Sequence, residues 1–160
     1  LSDYGKGGLA HIATMIERTR AAGRPVLVDP KGDNWDKYRG ATVITPNRGE
    51  FRQVVGRWED AAGMAAKALA LRAELDVTAL LVTRSEEGMS LYTADGAEDV
   101  AAVAREVYDV SGAGDTVIAA LGVLLGAGAD LRSAVRIANE AAGVVVGKLG
   151  TAVATPDELA

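Results

Sequence analysis

A chain of 160 residues, 49% hydrophobic and 24% charged, is long enough to bury a core and has the composition of one folded domain. Its net charge of −5, with no cluster of lysines and arginines, offers no footprint for nucleic acid. Cysteine is absent and histidine occurs once, at His11, which excludes a disulfide framework, a thiolate metal site and a histidine-built zinc centre.

No apolar run approaches the roughly 20 residues of a membrane-spanning helix, and no leader pattern opens the chain, so a cytoplasmic protein with no membrane partner is expected. The chain starts without Met in what reads as a strand-to-helix loop, the pattern expected of a piece of a longer polypeptide.

Leu9, Ile12, Ala13 and Ile16 recur at helical spacing and predict a helix from Leu9 to Ala22, with Gly23 beyond it as C-cap. Before it, Asp3, Lys6 and three glycines fit either a solvated loop or the edge of a phosphate or sugar site. A short apolar run from Pro25 to Val28 predicts a strand that Asp29-Pro30 ends. Ligands of open α/β sheets gather beyond the carboxyl ends of strands, where Asp29 and Lys31 fall; a plain turn fits equally. Trp35 and Tyr38 are expected to pack on the domain surface.

Val43 to Thr45 predict a second strand, stopped by Pro46, and Asn47 opens a helix with Glu50 three residues on, the spacing of a capping box. An amphipathic helix is predicted from Asp60 to Leu75, with Met64 in the core. Two strands follow, Ala79 to Thr83 and Met89 to Tyr92, joined by a charged turn closing at Gly88. TADG signals a hairpin turn, and a further strand is expected over 99–107.

The segment DVSGAGDT, Asp109 to Thr116, carries the clearest chemistry. Gly112, Ala113 and Gly114 make a turn that can aim backbone N–H groups at one point, and the helix that follows adds its positive end. Asp115 at the mouth of this anion cradle suits a base that takes a proton from an attacking hydroxyl, which suggests phosphoryl transfer. A tight turn with a capping aspartate is the plainer alternative. TVIAALGVLLGAG is apolar on nearly every face, so its helix is expected deep in the fold, and a last helix is predicted from Asp130 or Leu131 to about Gly147. Together these elements suit a three-layer α/β domain with a largely parallel sheet.

DVSGAGDTVIAALG resembles the C-terminal signature of the ribokinase-like (PfkB) carbohydrate kinases, and TPNRGE resembles their second motif. The resemblance implies a ribokinase-like fold, Asp115 as catalytic base and Gly112, Ala113 and Gly114 as the anion hole. It implies ATP and Mg2+, with Asn47, Arg48, Gly49 and Glu50 at the phosphate end and Asn47 and Glu50 ordering the metal mostly through water. Thr83 and Arg84 are then expected near the ATP phosphates, with a plain surface charge the equal alternative for Arg84, and Asn139 beside adenine.

Within the family, LSDYGKG, VDPKG, YRGAT, LLVTRSEEGMSL and NEAAGVVVGKLGT resemble the heptose 7-phosphate kinase module that Gram-negative bacteria join to an adenylyltransferase. That implies phosphorylation of D-glycero-β-D-manno-heptose 7-phosphate at the anomeric C1 hydroxyl, on the way to ADP-heptose and the lipopolysaccharide core. With a single histidine the chain lacks the His-x-Gly-His motif of adenylyl transfer. The resemblance covers about half of such a kinase, so residues 1–160 are expected to be the C-terminal part of the domain, without the lid strands and much of the sugar pocket. A homodimer is expected of the parent protein. Alternatives are a related sugar or nucleoside kinase, or a nucleotide-binding fragment without activity of its own.

Overall fold

The computed structural model describes residues 1–103 and 107–159. Its sheet runs in sequential order: β1 (Leu27–Val28), β2 (Val43–Ile44), β3 (Ala79–Thr83), β4 (Met89–Thr93) and β5 (Gly96–Val100). The first three are parallel, and β4 and β5 return antiparallel as a hairpin. A parallel bridge between Ser2 and Asp29 extends the sheet beyond β1.

Successive strand residues point to opposite faces, and in β1 to β4 both faces are buried. Val28, Ile44, Leu80 and Val82 join one core with α1 (Ile12–Ala21), α2 (Arg48–Val55) and α3 (Ala61–Glu74). Leu27, Val43, Ala79 and Leu81 join the other with α4 (Ala113–Gly126) and α5 (Leu131–Val146). This produces three layers, and it explains why β1, β2 and most of β3 read as unbroken apolar runs.

Local signals set the helix starts. Asn47 accepts from the Glu50 N–H at 2.9 Å while Glu50 accepts from the Asn47 N–H at 3.0 Å, completing the capping box. Asp60 caps α3 through the Gly63 N–H at 2.7 Å, and Asp130 caps α5 through the Ser133 N–H at 3.0 Å. Each such cap contributes about 1 kcal/mol. Helix α1 starts at Ile12 rather than Leu9, because Ala10 and Ile12 donate to carbonyls three residues back and wind the preceding segment into tight turns.

Four further expectations are corrected. Pairing beside β1 begins at Leu27, since the Val26 N–H turns to the Thr42 hydroxyl at 2.8 Å. The strand expected over 99–107 pairs from Gly96 to Val100 instead, and 104–106 lie outside the described residues. Trp35 and Tyr38 are buried rather than superficial. Their polar tips are satisfied inside: indole Nε1 donates to the Gly32 carbonyl at 2.9 Å, and the Tyr38 hydroxyl donates to Asp3 at 2.7 Å. Helix α4 buries only its Val117 and Leu121 face, while Val123 on the opposite side is 73% exposed. Among the described residues no helix is long and apolar enough to cross a membrane.

Candidate active site

The carboxyl ends of the strands gather the residues singled out by sequence. A bridge pairs Asn47, just past β2, with Thr83 at the end of β3, and the Thr83 N–H donates to the Pro46 carbonyl at 2.9 Å. Facing them, Asp109 accepts from the Ser111 N–H at 2.8 Å and stiffens the turn into α4. Gly112 then takes φ 81°, a left-handed conformation that costs glycine little, and the helix begins at Ala113. Asp115 thus sits within the first helical turn. The Thr116 N–H returns to the Gly112 carbonyl at 2.9 Å, whereas the N–H groups of Gly114 and Asp115 have no acceptor among the described residues. Open donors at a helix N-terminus form a site for anions.

A cavity of about 530 Å³ opens against this turn. Asn47, Arg48, Gly49 and Thr83 line one part, Ala113 and Gly114 another, and Asn139, Ala142, Gly143 and Val146 of α5 a third. Seven of the sequence-predicted site residues therefore meet around one space. Asn139 is 4% exposed and donates to the Ala101 carbonyl at 2.8 Å, which fixes its amide in the wall.

Asp115, Gly112, Glu50 and Arg84 are not among the residues lining this cavity. The hydroxyl of Tyr4 lies 3.3 and 3.4 Å from the two Asp115 oxygens. Glu50 pairs with Lys31 at 3.2 Å in addition to its capping bond. Arg84 lies against Asp99 at 3.4 Å and Glu87 at 3.5 Å, drawn to two carboxylates, and Arg48 forms a two-pronged pair with Glu87 at 2.8 Å. The first turn of α4 thereby divides the region, with Ala113 and Gly114 on the cavity and Asp115 directed to the loop at residues 1–8.

On the Asp115 side the electrostatics are unusual. Burial pushes the Asp29 carboxyl above its ordinary value, and the charges of Glu50 and Asp115 push the same way against the Ser2 hydrogen bond and Lys31. Nearby Asp3 behaves oppositely. Burial would raise it, but hydrogen bonds from Lys37, the Gly5 N–H and Tyr38, with the charge of Lys37, hold it at about 2. Tyr4 is the residue that sequence reasoning missed: it is 111 positions from Asp115, and no local pattern announces the pairing.

Residues 7–158 match the family model described as pfkB family carbohydrate kinase. The D-beta-D-heptose 7-phosphate kinase of Bordetella bronchiseptica is 54% identical over 160 residues, which span 100% of this chain and 51% of that protein. The bifunctional protein HldE of Halorhodospira halophila is 58% identical over 160 residues, 99% of this chain and 34% of that protein. The chain thus spans about half the length of the first relative and a third of the second. Ribokinase of Arabidopsis thaliana, solved with ribose and ATP, matches with TM-score 0.77 and 25% identity over 87% of this chain and 46% of its own. Escherichia coli phosphofructokinase-2, solved with substrates and products, matches with TM-score 0.82 and 19% identity over 94% of this chain and 50% of its own, a likeness of fold. With the family model covering nearly its whole length, the chain belongs to the pfkB family of carbohydrate kinases.

Proposed function

We propose that the chain is the C-terminal part of a ribokinase-like kinase domain. Its full form transfers the γ-phosphoryl group of ATP to the C1 hydroxyl of D-glycero-β-D-manno-heptose 7-phosphate and releases ADP and the 1,7-bisphosphate. The product leads to ADP-heptose for the lipopolysaccharide core, and the enzyme is cytoplasmic and homodimeric. The observation that carries this reading is the division at α4: a cavity on one side of its first turn, the Asp115 carboxylate beside the Tyr4 hydroxyl on the other, and open N–H donors between them. The 54% identity to a protein named as a heptose 7-phosphate kinase supports the sugar.

In this mechanism Asn139, Ala142 and Gly143 hold the adenine, and Asn47, Arg48, Gly49 and Thr83 hold the phosphates. Asp115 accepts the proton of the C1 hydroxyl as its oxygen attacks the γ-phosphorus, and the bond to the ADP oxygen breaks. The N–H groups at Gly114 and Asp115 receive the charge on the migrating group, as positioned donors do in phosphoryl transfer. Glu50 and Asn47, which the capping box sets side by side, would hold Mg2+ mostly through its own waters, as suits a cation that sheds its water shell reluctantly. When bound, Mg2+ offsets phosphate charge.

The full-length protein is tested with Mg-ATP against heptose 7-phosphate, ribose, fructose 6-phosphate and a nucleoside, with 31P NMR to locate the new phosphate. An anomeric phosphate formed on the heptose, at a kcat/KM at least a hundredfold above the others, is expected. Preference for another acceptor overturns the substrate and leaves the family standing.

A further inference from the structure

Tyr4 is 61% exposed, so burial of its ring does little to hold it, yet its backbone is fixed on both sides. On one side Asp3, 7% exposed, accepts from Lys37 Nζ at 2.8 Å and from the Tyr38 hydroxyl at 2.7 Å. On the other, the Gly5 N–H closes back on Asp3 Oδ1 at 2.8 Å. The Asp3 N–H also donates to the Asp29 carbonyl at 3.0 Å, so the loop is tied to the sheet edge as well. Tyr38 receives the Lys31 N–H at 2.9 Å, which links the same clasp to the loop after β1. A buried, ionised carboxylate with three donors fixes its neighbours firmly. Its effect on Tyr4 is to deliver the phenol to Asp115.

There the hydroxyl hydrogen is shared between Oδ1 and Oδ2 at 3.3 and 3.4 Å, a long three-centre bond. Each carboxylate oxygen has two lone pairs, so one on each stays available to an incoming hydroxyl. An exposed aspartate in the first turn of a helix otherwise rotates freely about χ1 and χ2, and a base that must meet one proton loses rate when its orientation is spread.

We propose that Tyr4 is a positioning residue for Asp115, held in place by the clasp that Lys37 and Tyr38 form on the buried Asp3. The proposal rests on Asp115 being the base. It is tested in the full-length protein with Tyr4→Phe, Asp115→Asn and the double variant, measuring kcat, both KM values and thermal stability. Tyr4→Phe is expected to lower kcat about tenfold, the effect of losing one hydrogen bond of about 1.4 kcal/mol, with the KM for ATP and the melting temperature unchanged. In the Asp115→Asn background it is expected to cost nothing more. A kcat for Tyr4→Phe within twofold of the parent overturns the proposal, and so does the same tenfold loss in both backgrounds. Full turnover by Asp115→Asn is a separate outcome that removes the base itself. Asp3→Asn, similar in size but uncharged, is expected to reproduce the loss of kcat; where it does not fold, Tyr4→Phe alone decides.

Discussion

A side chain on Gly88 would place its Cβ 2.1 Å from the carbonyl oxygen of Val100 and 2.6 Å from the Ala102 nitrogen. Both obstacles are backbone, and Gly88 has φ 90°, where other residues are strained. The hairpin end therefore packs directly on the segment leading to the cavity, which Gly88 and Ala102 both line. Gly88→Ala is expected to destabilise by at least about 2 kcal/mol and to weaken ATP binding. Urea unfolding and an ATP titration check this; a change within about 0.5 kcal/mol contradicts the close approach.

Asp3 links stability to pH. Its carboxyl is held at about 2 against an ordinary 3.8, so the folded state binds its proton more weakly than the unfolded chain does. Its contribution, on the order of 2 kcal/mol, is therefore complete above about pH 4 and is lost as pH falls from there through 2. Denaturant midpoints measured from pH 5 to pH 2 should fall, and Asp3→Asn should flatten part of that slope while lowering stability at neutral pH. An unchanged slope would argue against the clasp.

Two positions on α4 separate its faces. Leu121 is fully buried, and Leu121→Ala is expected to cost about 3 kcal/mol from lost contacts and the cavity left behind. Val123, two residues on, is 73% exposed, and Val123→Ser should stay within about 0.5 kcal/mol in this chain. Equal losses at the two sites would contradict the packing.

What could be read from sequence was local, and what could not was distant. The capping box at Asn47 and Glu50 spans three residues, and the turn at Gly112 to Asp115 is contiguous, so type and spacing suffice to find them. The positions of β1, β2 and β3 were legible because both faces of these strands are buried and their sequences run apolar nearly without break. Tyr38 was misjudged because it lies among charged residues in DNWDKYRG; its buried partner Asp3 is 35 positions away. Helix α4 was misjudged because apolarity on all sides shows which faces favour burial, not which find a partner in 160 residues. The position of Arg84 depends on Asp99 and Glu87, whose approach the hairpin decides.

Two of the helix-capping residues provide a control for the nucleotide site. Asn47 and Asp60 each accept from a first-turn N–H, and replacing either by alanine should cost about 1 kcal/mol. Only Asn47 lines the cavity. Asn47→Ala is expected to lower kcat at least tenfold and Asp60→Ala to leave it unchanged, measured at a temperature where both are folded. Equal kinetics would reduce Asn47 to a helix cap.

The most direct measurement is ADP release by the full-length protein from Mg-ATP and heptose 7-phosphate, for the parent and Asp115→Asn, with ATP affinity titrated in parallel. Loss of the base is predicted to reduce turnover by about a thousandfold, within the range of general-base catalysis, and to leave the ATP Kd within about threefold. Equal turnover in the two proteins would contradict the assignment of Asp115.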